Sequence, residues 1–356
     1  MPVLDLSVSA VDLTRTICDI PSVSDDETPL ADAIEAAVRQ LPHLSVHRDG
    51  DTIVARTDLG RAQRVVIAGH IDTVPINGNV PTRDIEIEGE PYVWGRGTVD
   101  MKAGVAVQLV LAAALAEPRV DITWMWYDHE EVDAARNGLT RLAAARPDLF
   151  AADFAILGEP SNGQVEGGCN GTLRAIVRTD GVRAHSARAW VGENAIHKAA
   201  PVLVRLAEYR PREIEVDGLV YREGLNAVGI SGGIAGNVIP DACEVEVNFR
   251  FAPSRSGEQA EQHVRDVFEG FDVEIVDLSP GARPGLDAPL AQEFVASVGA
   301  EPRPKYGWTD VARFSAMGVP AVNYGPGDPQ LAHHDEERVP VAQIEDVERG
   351  LRAWLT

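Results

Sequence analysis

The sequence predicts an α/β catalytic domain with a mixed, largely parallel sheet, into which a small ferredoxin-like α+β domain is inserted. Three observations lead to this fold class. Helical and strand patterns alternate over residues 1–170, a strand–helix–strand–strand–helix–strand order follows, and the α/β pattern resumes near the end of the chain. The 356 residues are enough for about two domains of ~150 residues each.

The first part of the chain supplies the alternating elements of the α/β domain. Its strands are short apolar runs, and its helices have apolar residues at helical spacing. The predicted helices cover 28–41, 103–116 and 135–145, and the predicted strands cover 64–70, 121–128 and 153–160. In such sheets ligands bind at the carboxyl ends of the strands. His70, Asp128 and Glu159 all stand at such ends, so they are candidate site residues.

The middle of the chain predicts a complete small domain. Its strands are expected at 172–181, 226–237, 242–251 and 273–280, and its helices at 193–209 and 257–271. The stretch PGARPG, at 280–285, is interpreted as the return to the first domain, which continues with a helix at 291–299, a strand at 321–326 and a helix at 342–355. We therefore expect a catalytic domain of 1–173 and 285–356 and an inserted domain of 174–284.

Composition argues against several classes of function. Lys+Arg is 32 against Asp+Glu 55, and the resulting net charge of −23 argues against a nucleic-acid-binding surface. The longest apolar stretch, 103–116, is shorter than the ~20 residues of a membrane span, so it predicts a buried helix. Three scattered cysteines do not form a disulfide framework, and the amino-terminal MPVLDLSVSAVDL lacks the basic region of a signal peptide. We expect a cytoplasmic globular protein with no membrane or nucleic-acid partner.

The motif GHIDTVP, at 69–75, presents two polar side chains at the end of a buried strand. His70 and Asp72 are two residues apart, so in extended backbone they point to the same side. Asp72 could then fix the tautomer of His70 and direct its other ring nitrogen at a metal. The alternative is a strand-end histidine that is hydrogen-bonded to its neighbour, and the motif alone leaves both open.

Four further stretches carry acidic residues or histidines at loop or strand-end positions. They are WGRGTVDMKAG with Asp100, YDHEEVD with Glu130 and Glu131, ILGEPSN with Glu159, and LAHHDEERV with His333 and His334. Each of these alone is most simply a solvated charge in so acidic a chain. Together, in one α/β unit, they indicate a divalent metal ion bound by nitrogen and oxygen ligands.

Two other catalytic motifs are incomplete. HEEVD begins like the helical zinc motif H-E-x-x-H, but its fifth residue is Asp133. GISGG matches G-x-S-x-G around Ser231, with Asp310 and His333 following in hydrolase order. A nucleophile elbow requires a strand, a sharp turn and a helix, and no helix is predicted directly after Ser231. A serine esterase is therefore kept only as an alternative.

Five motifs together carry a family resemblance: GHIDTVP, GRGTVDMKAG, the EE pair, GEP and AHHDEERV. They resemble the co-catalytic zinc metallopeptidase family of aminoacylases, carboxypeptidases, acetylornithine deacetylase and succinyl-diaminopimelate desuccinylase. The resemblance covers essentially the whole chain and implies a zinc-peptidase-like catalytic domain with a lid and dimerisation domain. It also implies two divalent metal ions, zinc in the first place with cobalt able to substitute, and a homodimer formed through the lid.

The same resemblance implies a role for each motif residue. The implied metal ligands are His70, Asp100, Glu131, Glu159 and His333. Asp100 would bridge the two metals, with His70 and Glu159 on one and Glu131 and His333 on the other. Asp72 would orient His70, and Glu130 would be the general base that takes a proton from water and delivers one to the leaving amine. The spacing of the last motif favours His333 over His334 as the ligand.

In the lid, the resemblance implies contacts with the substrate. GVRAHSA places His185 where it would reach into the partner subunit's site and stabilise an oxyanion. The implied substrate-binding residues are Asn237, Arg250, Thr309 and Gly325. Arg250 suits a bidentate contact with a carboxylate, although an outward-facing charge on a strand is the alternative.

The sequence departs from the family pattern at two positions. His129 stands where an aspartate usually precedes the two glutamates, and Trp308 replaces a small residue in the substrate-binding loop. GWTDVARF and YGPGDPQLAHHDE nevertheless resemble the actinobacterial desuccinylases of the family. We therefore expect hydrolysis of N-succinyl-LL-2,6-diaminopimelate to succinate and LL-2,6-diaminopimelate. An acetylornithine deacetylase, another deacylase of N-acyl amino acids or a dipeptidase is the alternative within the family.

Overall fold

The computed structural model describes residues 4–356, which divide into two compact units. The first unit is made of the chain up to Gly167, Pro284–Arg303 and Arg313–Thr356. The second unit is made of Gly168–Arg283 and Pro304–Ala312. Met1–Val3, the first residues of the amino-terminal stretch discussed above, lie outside the described part.

The helices and strands are numbered in chain order. The α-helices are α1 (Ala10–Cys18), α2 (Thr28–Val38), α3 (Lys102–Ala114), α4 (Gly138–Ala145), α5 (Ala195–Lys198), α6 (Ala200–Glu208), α7 (Gly257–Val267), α8 (Pro289–Val298), α9 (Val311–Ala316) and α10 (Val341–Leu355). The β-strands are β1 (Ser45–Asp49), β2 (Thr52–Arg56), β3 (Arg64–His70), β4 (Arg83–Ile87), β5 (Glu90–Trp94), β6 (Asp121–Tyr127), β7 (Phe154–Leu157), β8 (Glu166–Gly167), β9 (Gly171–Asp180), β10 (Ala184–His185), β11 (Glu213–Val216), β12 (Leu219–Arg222), β13 (Gly224–Gly232), β14 (Val238–Ile239), β15 (Ala242–Phe251), β16 (Asp272–Ser279), β17 (Arg303–Pro304), β18 (Ala321–Asn323) and β19 (Arg338–Pro340).

The main sheet of the first unit has the strand order β1-β2-β6-β3-β7-β18-β8-β17. Its centre is parallel, because β3 pairs in parallel with both β6 and β7, and β18 pairs in parallel with β7. The flanking strands β2 and β8 pair antiparallel to their neighbours. The central strands are almost wholly buried, as their continuous apolar sequences require. The predicted mixed, largely parallel sheet is confirmed.

The parallel centre of this sheet determines where the site lies. The carboxyl ends of β3, β6 and β7 meet at one edge because the three strands run in the same direction. His70 is the last residue of β3, Asp128 directly follows β6, and Glu159 lies two residues beyond β7. Three sequence motifs that are far apart along the chain are thus brought to one edge of the sheet.

Helix α3 accounts for the long apolar stretch at 103–116. Every residue from Lys102 to Ala112 is buried, and the helix packs against α1, α10 and β3. An apolar residue on every side of a helix is expected when every side is covered. In the described part of the chain, no helix has the length and apolar character needed to cross a membrane.

The second unit contains a four-stranded antiparallel sheet in the order β13-β15-β9-β16. Counted along the chain, these four main strands lie in the order second, third, first, fourth, which is the ferredoxin-like arrangement predicted from the βαββαβ order. Alternation along β15 separates the two faces, since Val245, Val247 and Phe249 are buried while the residues between them are partly exposed. The strand β13 lies at one edge of the sheet.

Several element boundaries differ from the sequence prediction for local reasons. The helix predicted at 193–209 is broken into α5 and α6, and Pro201 stands in the first turn of α6, where a missing N–H is tolerated. Helix α4 begins at Gly138 rather than 135 because Asn137 caps its first turn. Strand β13 ends at Gly232, and the next residue, Gly233, has a left-handed φ of 85°.

Candidate active site

Two histidines and two carboxylates come together at the carboxyl edge of the main sheet. His70 Nε2 lies 3.0 Å from Asp100 Oδ1, and His333 Nε2 lies 3.3 Å from Asp100 Oδ2. His333 Nε2 also lies 3.0 Å from Glu131 Oε1. Asp100 therefore stands between the two imidazole rings. These side chains come from four separate places in the sequence, and all four were predicted as metal ligands.

The donor set fits a divalent metal ion. One ligand atom each from His70, Asp100 and Glu131 lies within 4.8 Å of the others. Imidazole nitrogens and carboxylate oxygens are the ligands that zinc and cobalt take from proteins. A metal site would also explain why these two histidines and two carboxylates converge at one edge of the sheet.

The ring of His70 is held in a fixed orientation. Its Nδ1 donates a hydrogen bond to the backbone oxygen of Asp72 at 3.0 Å and lies 3.4 Å from the Asp72 carboxylate. This contact assigns the proton to Nδ1, which leaves Nε2 facing Asp100. Both side chains are buried. The sequence alone could not decide between the backbone and the carboxylate of Asp72 as the partner.

The carboxylate of Asp72 also fixes the loop after β6. Its Oδ1 accepts from the backbone nitrogen of Glu130 at 3.0 Å, and its Oδ2 accepts from the backbone nitrogen of Glu131 at 3.1 Å. Ser24 donates a third hydrogen bond to Oδ2. Asp72 thus connects the His70 motif to the two glutamates, a role that the spacing of GHIDTVP does not predict.

Glu337 holds the loop that carries Asp100. Its Oε1 accepts from the backbone nitrogens of Val99 at 2.8 Å and Asp100 at 3.0 Å, and its Oε2 accepts from the Arg96 guanidinium at 2.9 Å. Glu337 is 1% exposed, so these partners satisfy a carboxylate that has left water. Sequence reasoning did not assign a role to Glu337. The signal that could have found it is its position four residues after His333 in the same motif.

Glu159 is placed at the same sheet edge by close backbone packing. It is 5% exposed and follows Gly158 at the end of β7. A Cβ on Gly104 or Gly325 would collide with the backbone oxygen of Gly158. Gly325 itself hydrogen-bonds through its nitrogen to Ser161 Oγ at 3.1 Å. The structure thus gives Gly325 a packing contact beside Glu159, and the predicted substrate contact of Gly325 stays a prediction.

Hydrogen bonds between histidines and carboxylates dominate the electrostatics of the site. Contacts with Asp100 and Glu131 raise the pKa of His333 to about 10. Burial opposes a charge on His70, but its contacts with Asp100 and Asp72 hold its pKa well above the usual range. The pKa of Asp100 is lowered despite its burial, because His333 and His70 stabilise the carboxylate. Without metal, the site is therefore a cluster of paired imidazolium and carboxylate groups.

The predicted residues of the second unit take the following places within that unit. His185 is exposed at the end of β10, which pairs with β14, and the residue after it donates a backbone hydrogen bond to Asn237 at 2.9 Å. Thr309 is 4% exposed. Arg250 lies on β15, where its Nε donates to Asn248 Oδ1 at 3.1 Å. Burial lowers the pKa of Arg250, and in the described chain no carboxylate forms an ion pair with it.

Ser231 does not stand on a nucleophile elbow. It lies inside β13, is exposed and pairs with Glu244 of β15 in an antiparallel ladder. The chain continues through Gly232 and Gly233 toward β14 rather than into a helix. The Trp308 side chain, which departs from the family pattern, donates its indole N–H to the backbone oxygen of Pro280 at 3.1 Å.

The fold and this cluster define a metallopeptidase-type hydrolase, and comparison with known proteins identifies the family. A profile of peptidase family M20/M25/M40 matches residues 66–356, and the chain belongs to this family. The family and the fold class predicted from the sequence are both confirmed.

Relatives match the chain along its whole length. It is 53% identical over 355 residues to a Mycobacterium tuberculosis protein provisionally described as a succinyl-diaminopimelate desuccinylase, covering 99% of both chains. It is 46% identical to the succinyl-diaminopimelate desuccinylase of Corynebacterium glutamicum, covering 100% of this chain and 98% of the relative. The crystal structure of a Staphylococcus aureus tripeptidase superposes with a TM-score of 0.79 at 20% identity, covering 99% and 98% of the two chains. The activity predicted from the sequence agrees with the descriptions of the first two relatives.

Proposed function

We propose that this protein is a divalent-metal-dependent amide hydrolase that removes the succinyl group from N-succinyl-LL-2,6-diaminopimelate. The observation that carries the proposal is the cluster of His70, Asp100, Glu131 and His333, whose donor atoms lie 3.0–3.3 Å apart in histidine–carboxylate pairs. The proposed substrate is inferred from the descriptions of the two relatives, which are 53% and 46% identical to this chain over nearly its whole length.

The proposed cofactor is a pair of divalent ions, with zinc as the preferred metal. The cluster and Glu159 would hold them. Bound metal of this kind supplies Lewis acidity, which lowers the pKa of water from ~15.7 toward ~7 and polarises a carbonyl oxygen. Asp100 lies between both histidines, which supports the proposal that its carboxylate would help to hold both ions. The fixed tautomer of His70 leaves Nε2 available as the ligand atom.

Glu130 is the proposed general base. Its backbone is fixed by Asp72, and the adjacent Glu131 is directed toward His333, so the two neighbouring carboxylates have separate tasks. Glu130 takes a proton from the attacking water and later gives a proton to the leaving amine. A carboxylate beside dications stays ionised, as this step requires.

Arg250 is the proposed partner of a substrate carboxylate. A half-buried guanidinium without an ion-pair partner in the described chain is costly unless a ligand supplies the counter-charge. The hydrogen bond to Asn248 Oδ1 holds Nε and leaves the remaining N–H donors for a bidentate contact. Asn237, Thr309 and Gly325 are the other proposed substrate contacts.

A second copy of this chain is the proposed partner of the lid. Strand β13 is an edge strand, and Val228 and Ile230 on it are 58% and 55% exposed. Trp190 is 79% exposed a few residues after His185. Edge strands with exposed apolar residues are normally covered by pairing, and a two-fold dimer would pair β13 with its own copy. In that dimer His185 would serve the partner's site as an oxyanion donor. The cytoplasmic location expected from the sequence stays a prediction.

The proposal is tested by measuring succinate release from N-succinyl-LL-2,6-diaminopimelate before chelation, after chelation and after zinc is restored. We expect activity to disappear with the metal and return with it. Cobalt in place of zinc is expected to support activity as well. A fluorophosphonate serine probe serves as the control, because the alternative serine esterase would react with it and would survive chelation. Activity that withstands metal removal would refute the metal mechanism.

A further inference from the structure

A second network of polar side chains lies behind the loop that carries the two catalytic glutamates. Its centre is Asp128, which directly follows β6 and is 2% exposed. Asp128 Oδ1 accepts from Thr52 Oγ1 at 2.5 Å, and both of its carboxylate oxygens lie 2.8 Å from Nη2 of Arg141. A Cβ on Gly138 would collide with Thr52 Oγ1 and with Asp128 Oδ1. The backbone is therefore shaped to admit this carboxylate.

His129 continues the network. Its Nδ1 lies 2.5 Å from Asp128 Oδ2 and 3.3 Å from Glu27 Oε1, and its Nε2 lies 3.3 Å from Asp25 Oδ1. Three carboxylates thus surround one imidazole ring. The backbone of His129 has a left-handed φ of 59°, a conformation that non-glycine residues adopt at a cost. The side-chain contacts of His129 are in place to stabilise that conformation.

The left-handed turn directs three consecutive backbone amides at carboxylates. The nitrogen of His129 donates to Glu27 Oε1 at 3.3 Å. The nitrogens of Glu130 and Glu131 donate to the two oxygens of Asp72 at 3.0 and 3.1 Å. The orientation of the Glu130 side chain depends on this backbone, because Glu130 directly follows the strained residue His129.

We propose that Asp128 and His129 are positioning residues for the hydrolytic reaction, which hold the backbone of residues 129–131 so that the Glu130 carboxylate is correctly aimed. The proposal rests on the proposed function, in which Glu130 is the general base. Neither Asp128 nor His129 is assigned a contact with substrate or metal, so their effect is transmitted through the backbone. Substitution of a residue that holds a site residue in place typically lowers activity by about 10–100-fold.

The strand β6 offers a matched control at its other end. Asp121 is the first residue of β6 and is 3% exposed. Its carboxylate accepts from Thr57 Oγ1 at 3.0 Å and from the backbone nitrogens of Leu59 and Arg61 at 2.8 and 2.9 Å. It is as buried and as fully hydrogen-bonded as Asp128, but it stands at the end of the strand away from the site.

The experiment compares Asp128→Asn with Asp121→Asn in the zinc-loaded protein at saturating metal. We expect Asp128→Asn to lower kcat for the succinyl substrate about 10–100-fold, with KM changed less than about threefold and full metal content. Asp121→Asn is expected to lower the melting temperature and keep kcat within about twofold. Equal losses of kcat in both variants, or a wild-type kcat in Asp128→Asn, would overturn the proposal.

Two further measurements keep the test decisive. Amide hydrogen exchange at Glu130 and Glu131, which is measured without substrate, should become faster in Asp128→Asn and stay unchanged in Asp121→Asn. Unchanged exchange in Asp128→Asn would overturn the proposal. If Asp128→Asn does not fold, Arg141→Gln is held to the same criteria. It removes the contact of Nη2 with both carboxylate oxygens of Asp128, from a partly exposed position. Glu130→Gln is measured in parallel. Wild-type turnover in that variant would refute the base assignment, whereas the exchange data would still decide the positioning of the loop.

Discussion

The Asp72 carboxylate accepts a hydrogen bond from the backbone nitrogen of Glu130 at 3.0 Å, across 58 residues of sequence. With the parallel bond from Glu131 at 3.1 Å, it ties the end of β3 to the loop after β6. The same residue holds the His70 ring through its backbone oxygen. Asp72 therefore sets the geometry of two residues together: the proposed ligand His70 and the proposed general base Glu130.

Replacing Asp72 with asparagine should impair both functions. An amide has one oxygen acceptor, so one of the two backbone N–H groups loses its partner and a buried donor is left unsatisfied. We expect zinc affinity and kcat each to fall by about 10–100-fold. Ser24→Ala is the matched control, since it removes one hydrogen bond to Asp72 and keeps the carboxylate. Metal titration and steady-state kinetics on both variants check this, and an equal loss in the two would contradict it.

Glu130→Gln should separate metal binding from catalysis. The amide keeps the size of the side chain but cannot accept a proton, so kcat should fall by about 10²–10⁴-fold while metal content is unchanged. Asp133→Asn, an exposed carboxylate in the same loop, should leave kcat at the wild-type value. Elemental analysis and succinate release measure the two quantities. Near-wild-type turnover in Glu130→Gln would show that another group is the base.

Metal affinity should rise with pH through the neutral range. The pKa of His333 is raised to about 10 in the metal-free site, so its ring is protonated at neutral pH, and it must lose that proton to act as a ligand. For each proton that metal binding releases, the apparent metal affinity rises about tenfold per pH unit. The rise ends when the pH reaches the pKa of the group that loses the proton. Zinc titrations between about pH 6 and 8 measure the slope. His333→Gln should reduce it by about one proton and His334→Gln should not.

Arg250→Gln should weaken substrate binding without weakening the fold. Because no described carboxylate forms an ion pair with Arg250, its removal relieves the burial of an unpaired charge. We expect kcat/KM for the succinyl substrate to fall by about 10–100-fold and the melting temperature to stay the same or rise. Arg178→Gln is the control on the same sheet, because Arg178 is paired with Glu244 and Glu274. A stability loss in Arg250→Gln with unchanged kinetics would indicate a structural role.

A charge on β13, an edge strand of the second unit, should disrupt the proposed dimer. Ile230→Lys places an ammonium group on β13, which edge-to-edge pairing of two copies would have to bury. We expect a monomer by light scattering, with reduced activity because His185 could no longer serve a partner's site. Met317→Lys changes an exposed apolar residue of the first unit and should leave the oligomeric state unchanged. A monomeric wild-type protein with full activity would contradict the proposed dimer.

The elements that position the site could be predicted because their signals are local. The strands ending at His70 and before Asp128 are continuous apolar runs, and the structure places them at 64–70 and 121–127. The proposed ligands could be predicted because each lies in a compact motif. His333, Asp100 and Glu131 come together as those motifs indicate.

The supports of the site could not be predicted because they join distant segments. The contact between Glu337 and the backbone of Asp100 spans 237 residues, and that between Thr52 and Asp128 spans 76. Neither leaves a periodic pattern in the sequence. In an acidic chain, a buried glutamate such as Glu337 also cannot be told from a solvated one until its partners are known. The break between α5 and α6 coincides with Pro201 in the first turn of α6.

We propose a metal-dependent site that hydrolyses a succinylated amino acid. The most direct test of this proposal is kcat/KM measured side by side on N-succinyl-LL-2,6-diaminopimelate and N-acetylornithine with the zinc-loaded protein. We expect a clear preference for the succinyl substrate, since an acetyl group lacks the free acyl-chain carboxylate that a cationic pocket would bind. Activity on the acetyl substrate alone would contradict the proposed substrate and leave only the metal site standing.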